Sequence, residues 1–395
     1  MHLTIVSPFP PAITGIGQYG YHVTRALAKS GAFARVTVLA GSHRNGSSPN
    51  HLGHTEIEYC WQPGQWKART AILSRVKRLN PDLVWFNLGA SIFGRSPWAN
   101  VSGLFTPMFA RQMGFPTVVT LHELVELTDL RALDAPGGVL APLGARLLTS
   151  IATQADMLCL TLQPYAELLA ARHVNCAHIP IGAYHEPELL EASSAQELLF
   201  FTTLAPFKGL ELLLEAFQIL HREYPNLKLT IAGTEHTRFP EYARALKLRF
   251  EGMDGIHWLG QVHEDDVKEL FCRAQIVVLP YTASTGSSSV LYQAATWGRA
   301  VVSSDLKEVK DLVQESNLQV EFFKSGDVQD LCRALRSLLD SPQTRREQAA
   351  HNLNAMQHTR PAATCLRYLQ AFNRALEKRQ SPKRIEIPIV EKQPA

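Results

Sequence analysis

Short apolar runs rich in β-branched residues alternate along this chain with longer stretches of helical periodicity. In the first half these runs are "LTIVSP", "RVTVLAG", "DLVWFNL", "TVVTLH" and "MLCLTL". They are apolar throughout, as strands of a parallel sheet are when helices cover both faces. A second series follows with "LLFFTTL", "LKLTIAG", "IVVLPY" and "AVVSSD". The pattern predicts two α/β units, each a doubly wound, Rossmann-like sheet with crossover helices.

The two strand series are separated by an acidic stretch from about Gly182 to Glu197. A length of 395 residues is typical of two domains. The predicted boundaries are 1–185 for the N-terminal domain, 196–360 for the C-terminal domain and 381–395 for a flexible tail. Helices are predicted from about Val328 to Leu339 and from about Pro361 to Lys378. We expect the last helix, about 361–380, to pack back on the N-terminal domain.

Composition and charge argue against several classes of protein. The net charge is only +3, which gives no electrostatic case for a nucleic-acid partner. The six cysteines are scattered without a CxxC pair, which predicts free thiols, a cytoplasmic location and no metal site. The N-terminus does not resemble a signal peptide, and no apolar run approaches the roughly 20 residues of a membrane span.

Candidate binding residues of the first half follow its strands, where open parallel sheets bind ligands. Gly15 and Gly17 come after the first strand and are predicted to precede an amphipathic helix. Glycines there let a ligand approach the backbone, and a helix N-terminus favours an anion. His122 directly follows "TVVTL" and can donate a hydrogen bond to a substrate hydroxyl or carbonyl. The structural alternatives are a plain turn and a histidine bonded to a neighbouring loop.

The second half offers a cation and a polar helix start. Lys208 and Gly209 follow the strand "LLFF", and a lysine at such a turn is suited to a phosphate. Ser287, Ser288 and Ser289 follow a glycine and lead into an Ala-rich helix, where hydroxyls and unpaired N–H groups suit a diphosphate. A solvated lysine and simple helix-capping serines are the alternatives. One serine is enough for a cap, so the run of three favours an anion site.

Four stretches, in this order, resemble motifs of the retaining glycosyltransferases of family 4: "TGIG", "TLHE", "APFKGL" and "TGSSSVLYQAATWGRAVV". The resemblance implies a GT-B fold, in which two Rossmann-like domains face each other across a deep cleft. It implies a nucleoside diphosphate sugar as co-substrate, with no metal and no other cofactor. His122 and Lys208 take the catalytic positions. The donor-binding positions are Gly15, Gly17, Thr203, Gly286, Ser287, Ser288, Ser289, Val290 and Gln293.

Three positions depart from the family pattern. The two glutamates of the donor segment fall on Thr285 and Gln293, and a basic residue that accompanies the lysine is replaced by Thr203. Gln293 can still hydrogen-bond a ribose but carries no charge, and Thr285 is too short to replace a glutamate. The base and the sugar of the donor therefore stay open.

The implied reaction moves a hexose from the donor to a glycan or lipid-linked acceptor with retention of the anomeric configuration, in polysaccharide or glycolipid assembly. One alternative is a catalytically silent nucleotide-sugar-binding protein of the same fold. A second is a GT-B nucleotide-sugar epimerase, which would need the carboxylates that Thr285 and Gln293 do not supply. A third is a dinucleotide oxidoreductase, which needs GxGxxG followed by an acid about 20 residues later. The stretch "TGIGQYG" meets that requirement only in part.

A basic segment bears on location and acceptor. It is "WQPGQWKARTAILSRVKRLNP", with Trp61, Trp66, Lys67, Arg69, Arg75, Lys77 and Arg78. A basic amphipathic helix with aromatic residues suits the inner surface of a membrane and a lipid-linked acceptor. An ordinary domain helix with a solvated basic face is the slightly favoured alternative. The loop "GASIFGRSPWANVSGLFTPMF" is a second candidate for acceptor or membrane contact.

Overall fold

The structure is a computed structural model that describes residues 1–10, 14–41, 51–65, 67–89, 92–94, 97–127, 141–190, 195–236, 238–284 and 286–387. The chain forms two compact units. Unit 1 contains the described residues of 1–128, 137–180 and 361–387, and unit 2 contains those of 181–360. Among the described residues, the chain passes from unit 1 to unit 2 after Pro180 and returns to unit 1 at Pro361.

Unit 1 is built on an eight-stranded sheet. Its strands are β1 (His2–Val6), β2 (Arg35–Gly41), β3 (His51–Leu52), β4 (Thr55–Trp61), β5 (Leu83–Leu88), β6 (Thr117–Leu121), β7 (Met157–Leu160) and β8 (Cys176–His178). They lie in the order β3-β4-β2-β1-β5-β6-β7-β8, and only β3 and β4 pair in antiparallel fashion. The order reverses between β1 and β5, which is the switch point where doubly wound sheets bind ligands.

The described helices of the first half of the chain connect these strands. They are α1 (Gly15–Lys29), α2 (Ala68–Leu79), α3 (Pro97–Leu104), α4 (Thr106–Gln112), α5 (Ala141–Ala152) and α6 (Gln163–Ala171). The central strands β1, β2, β5, β6 and β7 are buried along most or all of their length, as the continuous apolar runs predict.

Unit 2 is built on a six-stranded, fully parallel sheet. Its strands are β9 (Glu197–Phe201), β10 (Lys228–Ala232), β11 (Ile256–Gly260), β12 (Ile276–Leu279), β13 (Ala300–Ser304) and β14 (Glu321–Phe323). Their order is β11-β10-β9-β12-β13-β14, with the switch point between β9 and β12. The helices are α7 (Leu210–Glu223), α8 (Tyr242–Arg249), α9 (Val267–Arg273), α10 (Ser289–Thr296), α11 (Lys307–Glu315), α12 (Val328–Leu339) and α13 (Pro342–Met356).

Helix α12 shows why the helices of unit 2 form where they do. The Asp327 carboxylate accepts hydrogen bonds from the backbone N–H groups of Gln329 and Asp330, both at 3.0 Å, and so caps the helix. Leu331, Leu335 and Leu338 are buried in the core of the unit at helical spacing. The predicted bounds of this helix are confirmed.

The last helix, α14 (Pro361–Lys378), packs on α1 and on the sheet of unit 1. Its Tyr368 is buried, and the phenol oxygen lies 2.6 Å from the Tyr19 hydroxyl and 2.8 Å from Thr120 Oγ1. The Tyr368 ring also packs against Trp85, with centroids 4.8 Å apart. Helix α14 therefore completes the core of unit 1.

The segment after α14 differs from the predicted flexible tail. The backbone N–H of Ile385 donates to Asn373 Oδ1, and Asn373 Nδ2 donates to the Ile385 carbonyl, both at 2.9 Å. The Ile385 side chain is buried. Residues 381–387 are thus held against α14 by a pair of amide hydrogen bonds, while 388–395 lie outside the described residues.

The basic segment of unit 1 forms an ordinary domain helix. Helix α2 buries Ile72 and Val76, and its exposed side carries the basic residues. Several of them have intramolecular partners. Arg78 and Arg75 lie 2.5 Å and 3.4 Å from the Glu58 carboxylate of β4, and the Arg69 guanidinium lies 4.8 Å from the centroid of the Phe109 ring. These partners favour the interpretation of α2 as a domain helix over that of a membrane-surface helix.

The burial of the aromatic residues around α2 also bears on the interpretation as a membrane-surface helix. Trp61 is buried and its ring packs against Phe93, with centroids 6.1 Å apart, so it is not available to a bilayer. Trp66 lies outside the described residues. The second candidate segment contains α3 and α4, where Trp98 is 80% exposed. In the part of the chain that is described, no helix has the length and apolar character needed to cross a bilayer.

Candidate functional site

Lys208 lies at the carboxyl edge of the unit 2 sheet, in a 3₁₀ turn (Pro206–Lys208) between β9 and α7. Since β9 and β12 are neighbours, this turn stands at the switch point. The Lys208 ammonium is 4.1 Å from the centroid of the Tyr281 ring, which closely follows the end of β12. Such a cation–π contact orients the side chain. Lys208 is only partly buried, so its charge can still meet an anion.

Gly209 allows this turn to lie close to the end of β12. Its φ of 71° is in the left-handed region, which favours glycine. A Cβ at this position would lie 1.7 Å from the Pro280 carbonyl oxygen. Both the positive φ and the close approach to the Pro280 carbonyl therefore exclude a side chain at Gly209.

Hydrogen bonds connect the Lys208 turn to the serine loop. The Phe207 carbonyl accepts from the backbone N–H groups of Thr282 and Ala283, at 3.0 Å and 3.3 Å. Thr282 and Ala283 begin the loop that leads to α10. The fold thus joins two of the predicted pieces, which are about 80 residues apart in sequence, at one edge of the sheet.

The start of α10 lies where the sequence predicts it. Ser288 is the N-cap residue, and its Oγ accepts from the Leu291 N–H at 3.4 Å. The capping role is therefore taken by one serine of the three. Ser289 is the first helical residue, and the first-turn N–H groups of Ser289 and Val290 have no acceptor within the helix. Ahead of the cap, the Gly286 carbonyl accepts from Ser284 Oγ at 3.1 Å.

The remaining predicted donor residues of unit 2 differ in what they can offer. The Val290 side chain is buried, so only its backbone N–H is available to a ligand. Gln293 is partly exposed in the second turn of α10, and Thr203 is partly exposed just after β9. Thr285 lies outside the described residues.

Gly15 and Gly17 lie inside the first turn of α1 and not before it, which corrects the predicted helix start. Thr14 is the N-cap, and its Oγ1 accepts from the Gly17 N–H at 2.9 Å. This cap offsets the low helix propensity of the two glycines. A Cβ on Gly15 would meet no atom of another described part of the chain within 4 Å, and the residue is exposed.

His122 directly follows β6, at the carboxyl edge of the unit 1 sheet, and is only 7% exposed. Its Nε2 lies 2.6 Å from Asn87 Oδ1, and its ring contacts Tyr19 edge-on with centroids 4.8 Å apart. Burial lowers the pKa of His122 to about 3. At neutral pH the imidazole is therefore uncharged, so it can act only as a hydrogen-bond donor or acceptor.

Sequence reasoning missed Asn87. It lies in β5 next to the switch point and is fully buried. The signal was present, because Asn87 is the one polar residue in the apolar run "LVWFNL". A buried side-chain amide needs hydrogen-bond partners, and in this strand those partners include His122.

The low pKa of His122 predicts a dependence of stability on pH. In the unfolded chain a histidine binds a proton near pH 6.5, whereas in the folded chain His122 resists protonation down to about pH 3. The unfolded state therefore gains protons as the pH falls, and the free energy of unfolding should decrease by about 1.4 kcal/mol per pH unit between about pH 6 and pH 4. Urea unfolding measured across this range, with wild type and His122→Gln, checks the result.

The variant isolates the histidine from other titrating groups. Glutamine keeps an N–H for Asn87 but does not titrate. The free energy of unfolding of His122→Gln should therefore decrease less steeply with falling pH, by about 1.4 kcal/mol per pH unit. Equal slopes for both proteins would contradict the assignment of a buried neutral imidazole.

Both units of the chain resemble known proteins. Residues 14–181 match the family model described as "Glycosyl transferase 4-like domain", and residues 195–341 match that of "Glycosyl transferases group 1". Sucrose-phosphate synthase from Thermosynechococcus elongatus has a similar structure, with a TM-score of 0.73 and 16% identity over 95% of this chain and 99% of that chain. The chain belongs to the GT-B glycosyltransferases. The predicted two-domain fold is thereby confirmed.

Other similarities point the same way. HepE from Anabaena, solved with UDP and glucose, matches this glycosyltransferase with a TM-score of 0.68 and 16% identity over 94% of this chain and 98% of that chain. A phosphatidyl-myo-inositol mannosyltransferase from Propionibacterium freudenreichii subsp. shermanii is 24% identical over 151 residues. That match covers 38% of this chain and only 36% of the relative, so it spans about a third of the relative's length.

These matches do not favour the epimerase, the silent binding protein or the oxidoreductase. For the oxidoreductase, the sequence adds an independent argument. The glycines of "TGIGQYG" are followed by no Asp or Glu before Glu56, so the acid that would bind a dinucleotide ribose is missing.

Proposed function

We propose that this glycosyltransferase moves a hexose from a nucleoside diphosphate sugar to a glycan or lipid-linked acceptor, with retention of the anomeric configuration and without a metal. The observation that carries the proposal is the edge of unit 2, where the Lys208 turn and the loop before α10 are joined by hydrogen bonds. A cation and unpaired helix N–H groups are the groups that stabilise a departing diphosphate.

In this proposal the leaving group is bound by unit 2. The diphosphate is bound by the Lys208 ammonium and by the N–H groups of Ser289 and Val290. The hydroxyls of Ser287 and Ser288 and the Gly286 backbone contribute further contacts to it. Gln293 hydrogen-bonds the ribose. The acceptor oxygen forms its bond to the anomeric carbon on the face from which the phosphate oxygen departs, which retains the configuration. No side chain is assigned as a general base.

Two further positions serve the donor from unit 1. His122 hydrogen-bonds the hexose, and the exposed backbone of Gly15 admits the donor at the start of α1, with the buried Gly17 in the same turn. UDP and glucose in the HepE structure support a nucleotide-sugar donor, and the mannosyltransferase similarity supports a hexose and a lipid-linked acceptor. The identity of the base is left to experiment.

The donor site is tested by calorimetric titration with UDP, GDP and ADP in the presence of EDTA. We expect one of the three to bind, and Lys208→Met to weaken that binding by at least about tenfold, since it removes a charge-assisted contact to phosphate. Lys228→Met is the matched control. Lys228 is exposed in the same unit, but it begins β10 and so lies at the opposite edge of the sheet.

Turnover is then measured with the sugars of the nucleotide that binds, and the anomeric configuration of the product is determined by NMR. Transfer with retention in EDTA supports the proposal. Absence of binding by all three nucleotides, or equal losses in Lys208→Met and Lys228→Met, would overturn the donor site. Tight binding without release of nucleoside diphosphate would show a binding protein instead of a transferase.

A further inference from the structure

The hydrogen bonds around Asn87 form a chain whose donors and acceptors can be assigned at every step. Asn87 Nδ2 donates to the Ile16 carbonyl at 2.9 Å and to Ser7 Oγ at 2.9 Å. Ser7 Oγ in turn donates its proton to the Pro8 carbonyl at 2.7 Å. Both ends of this chain are backbone carbonyls, which only accept. The amide nitrogen of Asn87 must therefore face Ile16 and Ser7.

This orientation leaves one arrangement for His122. With Nδ2 committed to Ile16 and Ser7, Asn87 presents its oxygen Oδ1 to the imidazole, at 2.6 Å from Nε2. An amide oxygen cannot donate, so Nε2 must carry a proton. The ring is neutral, because burial holds the pKa of His122 far below neutrality. Its other nitrogen, Nδ1, is therefore an unprotonated acceptor, and no described residue hydrogen-bonds it.

The network is protected against alternative arrangements by burial and by a glycine. Ser7 and Asn87 are both fully buried, so water does not compete for their hydrogen bonds. Gly20 of α1 packs directly on them, and a Cβ built there would lie 2.3 Å from Ser7 Oγ and 2.8 Å from Asn87 Nδ2. Parallel pairing of β5 with β6 sets Asn87 opposite Thr120, two residues before His122. The end of β1, helix α1 and strand β5 thus meet at the Asn87 amide, which in turn contacts the imidazole.

We propose that Asn87 is a positioning residue that fixes His122 as the Nε2–H tautomer, so that Nδ1 accepts a hydrogen bond from a hydroxyl of the bound sugar. The tautomer assignment stands on the geometry of unit 1 alone, whereas the contact with the sugar rests on the proposed function. The sequence alone suggests that His122 donates to the substrate. In the structure the ring N–H donates to Asn87, so the nitrogen left for the substrate accepts a hydrogen bond instead of donating one.

The tautomer is tested on the ligand-free protein by long-range ¹H–¹⁵N NMR with ¹⁵N-labelled histidine, and the signals of His122 are assigned from their loss in His122→Gln. We expect a single species with the proton on Nε2 at pH 7. In Asn87→Leu, Nε2–H loses its acceptor, and we expect a second population protonated on Nδ1. A wild-type proton on Nδ1, or unchanged His122 signals in Asn87→Leu, would overturn the proposal.

Two further variants separate positioning from stability. Gly20→Ala keeps the Asn87 residue, but the added methyl group displaces its side-chain amide. This variant should therefore reproduce the change of tautomer, and alanine does not lower the helix propensity of α1. Thr120→Val removes a buried hydroxyl that contacts Trp85 and Tyr368 but not His122, and it should destabilise unit 1 while leaving the His122 signals unchanged. Altered signals in Thr120→Val would show a general loss of packing and would contradict a specific role of Asn87.

Turnover tests the substrate contact separately, at equal fractions of folded protein. We expect kcat/KM to fall by at least about tenfold in Asn87→Leu and in Gly20→Ala, and to stay within about twofold in Thr120→Val. Normal turnover in Asn87→Leu together with a changed tautomer would overturn the contact with the sugar. A wild-type protein without transferase activity would refute the proposed function, while the NMR result would still decide the role of Asn87.

Discussion

Replacement of Asp156 by alanine is expected to lower the free energy of unfolding of unit 1 by about 3–5 kcal/mol. The carboxylate is fully buried and accepts from Arg111 Nε at 2.8 Å and from Arg379 Nε at 3.0 Å. It also accepts from the backbone N–H of Thr117 at 3.0 Å. Removal of the carboxylate leaves two arginines and a buried N–H without their acceptor. Urea unfolding followed by tryptophan fluorescence measures the change.

Glu58 provides the matched control for Asp156. It is also a carboxylate of unit 1 that contacts two arginines, Arg75 and Arg78, but all three side chains are partly exposed. Glu58→Ala should lower the free energy of unfolding by less than about 1 kcal/mol, because solvent already screens its ion pairs. Equal effects of the two substitutions would show that burial does not determine the strength of the Asp156 cluster.

Replacement of Gly209 by alanine is the second change with a large expected effect. The new residue would have to adopt a positive φ, and its Cβ would lie 1.7 Å from the Pro280 carbonyl oxygen, so the Lys208 turn must move away from β12. We expect a loss of about 2–5 kcal/mol in the free energy of unfolding of unit 2, and at least tenfold weaker (about 1.4 kcal/mol) binding of the nucleoside diphosphate. Urea unfolding and calorimetric titration measure the two effects.

Gly252→Ala separates the two causes. Gly252 also has a positive φ, of 79°, but a Cβ on this residue would meet no atom of the other described parts of the chain within 4 Å. This variant should show only the backbone contribution of about 1 kcal/mol and normal nucleotide binding. If Gly209→Ala behaved like Gly252→Ala, the close approach to Pro280 would not be what holds the Lys208 turn in place.

The sequence alone predicts the bounds of a helix where its start signal and its apolar spacing agree. The bounds of α12 and α14 are predictable because Asp327 and Pro361 are strong start signals and both helices carry regular apolar spacing. The start of α10 is predictable for the same reason. The start of α1 is not, since the Thr14 cap outweighs the low helix propensity of Gly15 and Gly17.

Sequence was insufficient where distant residues decide the outcome. Trp61 resembles an interfacial aromatic in its own segment, but Phe93 and the surrounding unit bury it. Asn87 and His122 are 35 positions apart, and only the register of β5 against β6 reveals that they share a hydrogen bond. Their relation depends on strand pairing, which composition and periodicity do not specify. The position of the histidine is therefore predictable from the sequence, whereas the choice of the ring nitrogen that carries the proton is not.

The return of α14 to unit 1 has a consequence for synthesis on the ribosome. Residues 1–180 emerge first, yet Trp85 and Tyr19 then lack the buried partner that Tyr368 supplies. Unit 2 is nearly continuous in sequence and can form in the meantime, while roughly 10–40 s pass at ordinary elongation rates. During that interval the nascent N-terminal part exposes an apolar surface to chaperones and to other chains. The unit made first is thus the last to become complete.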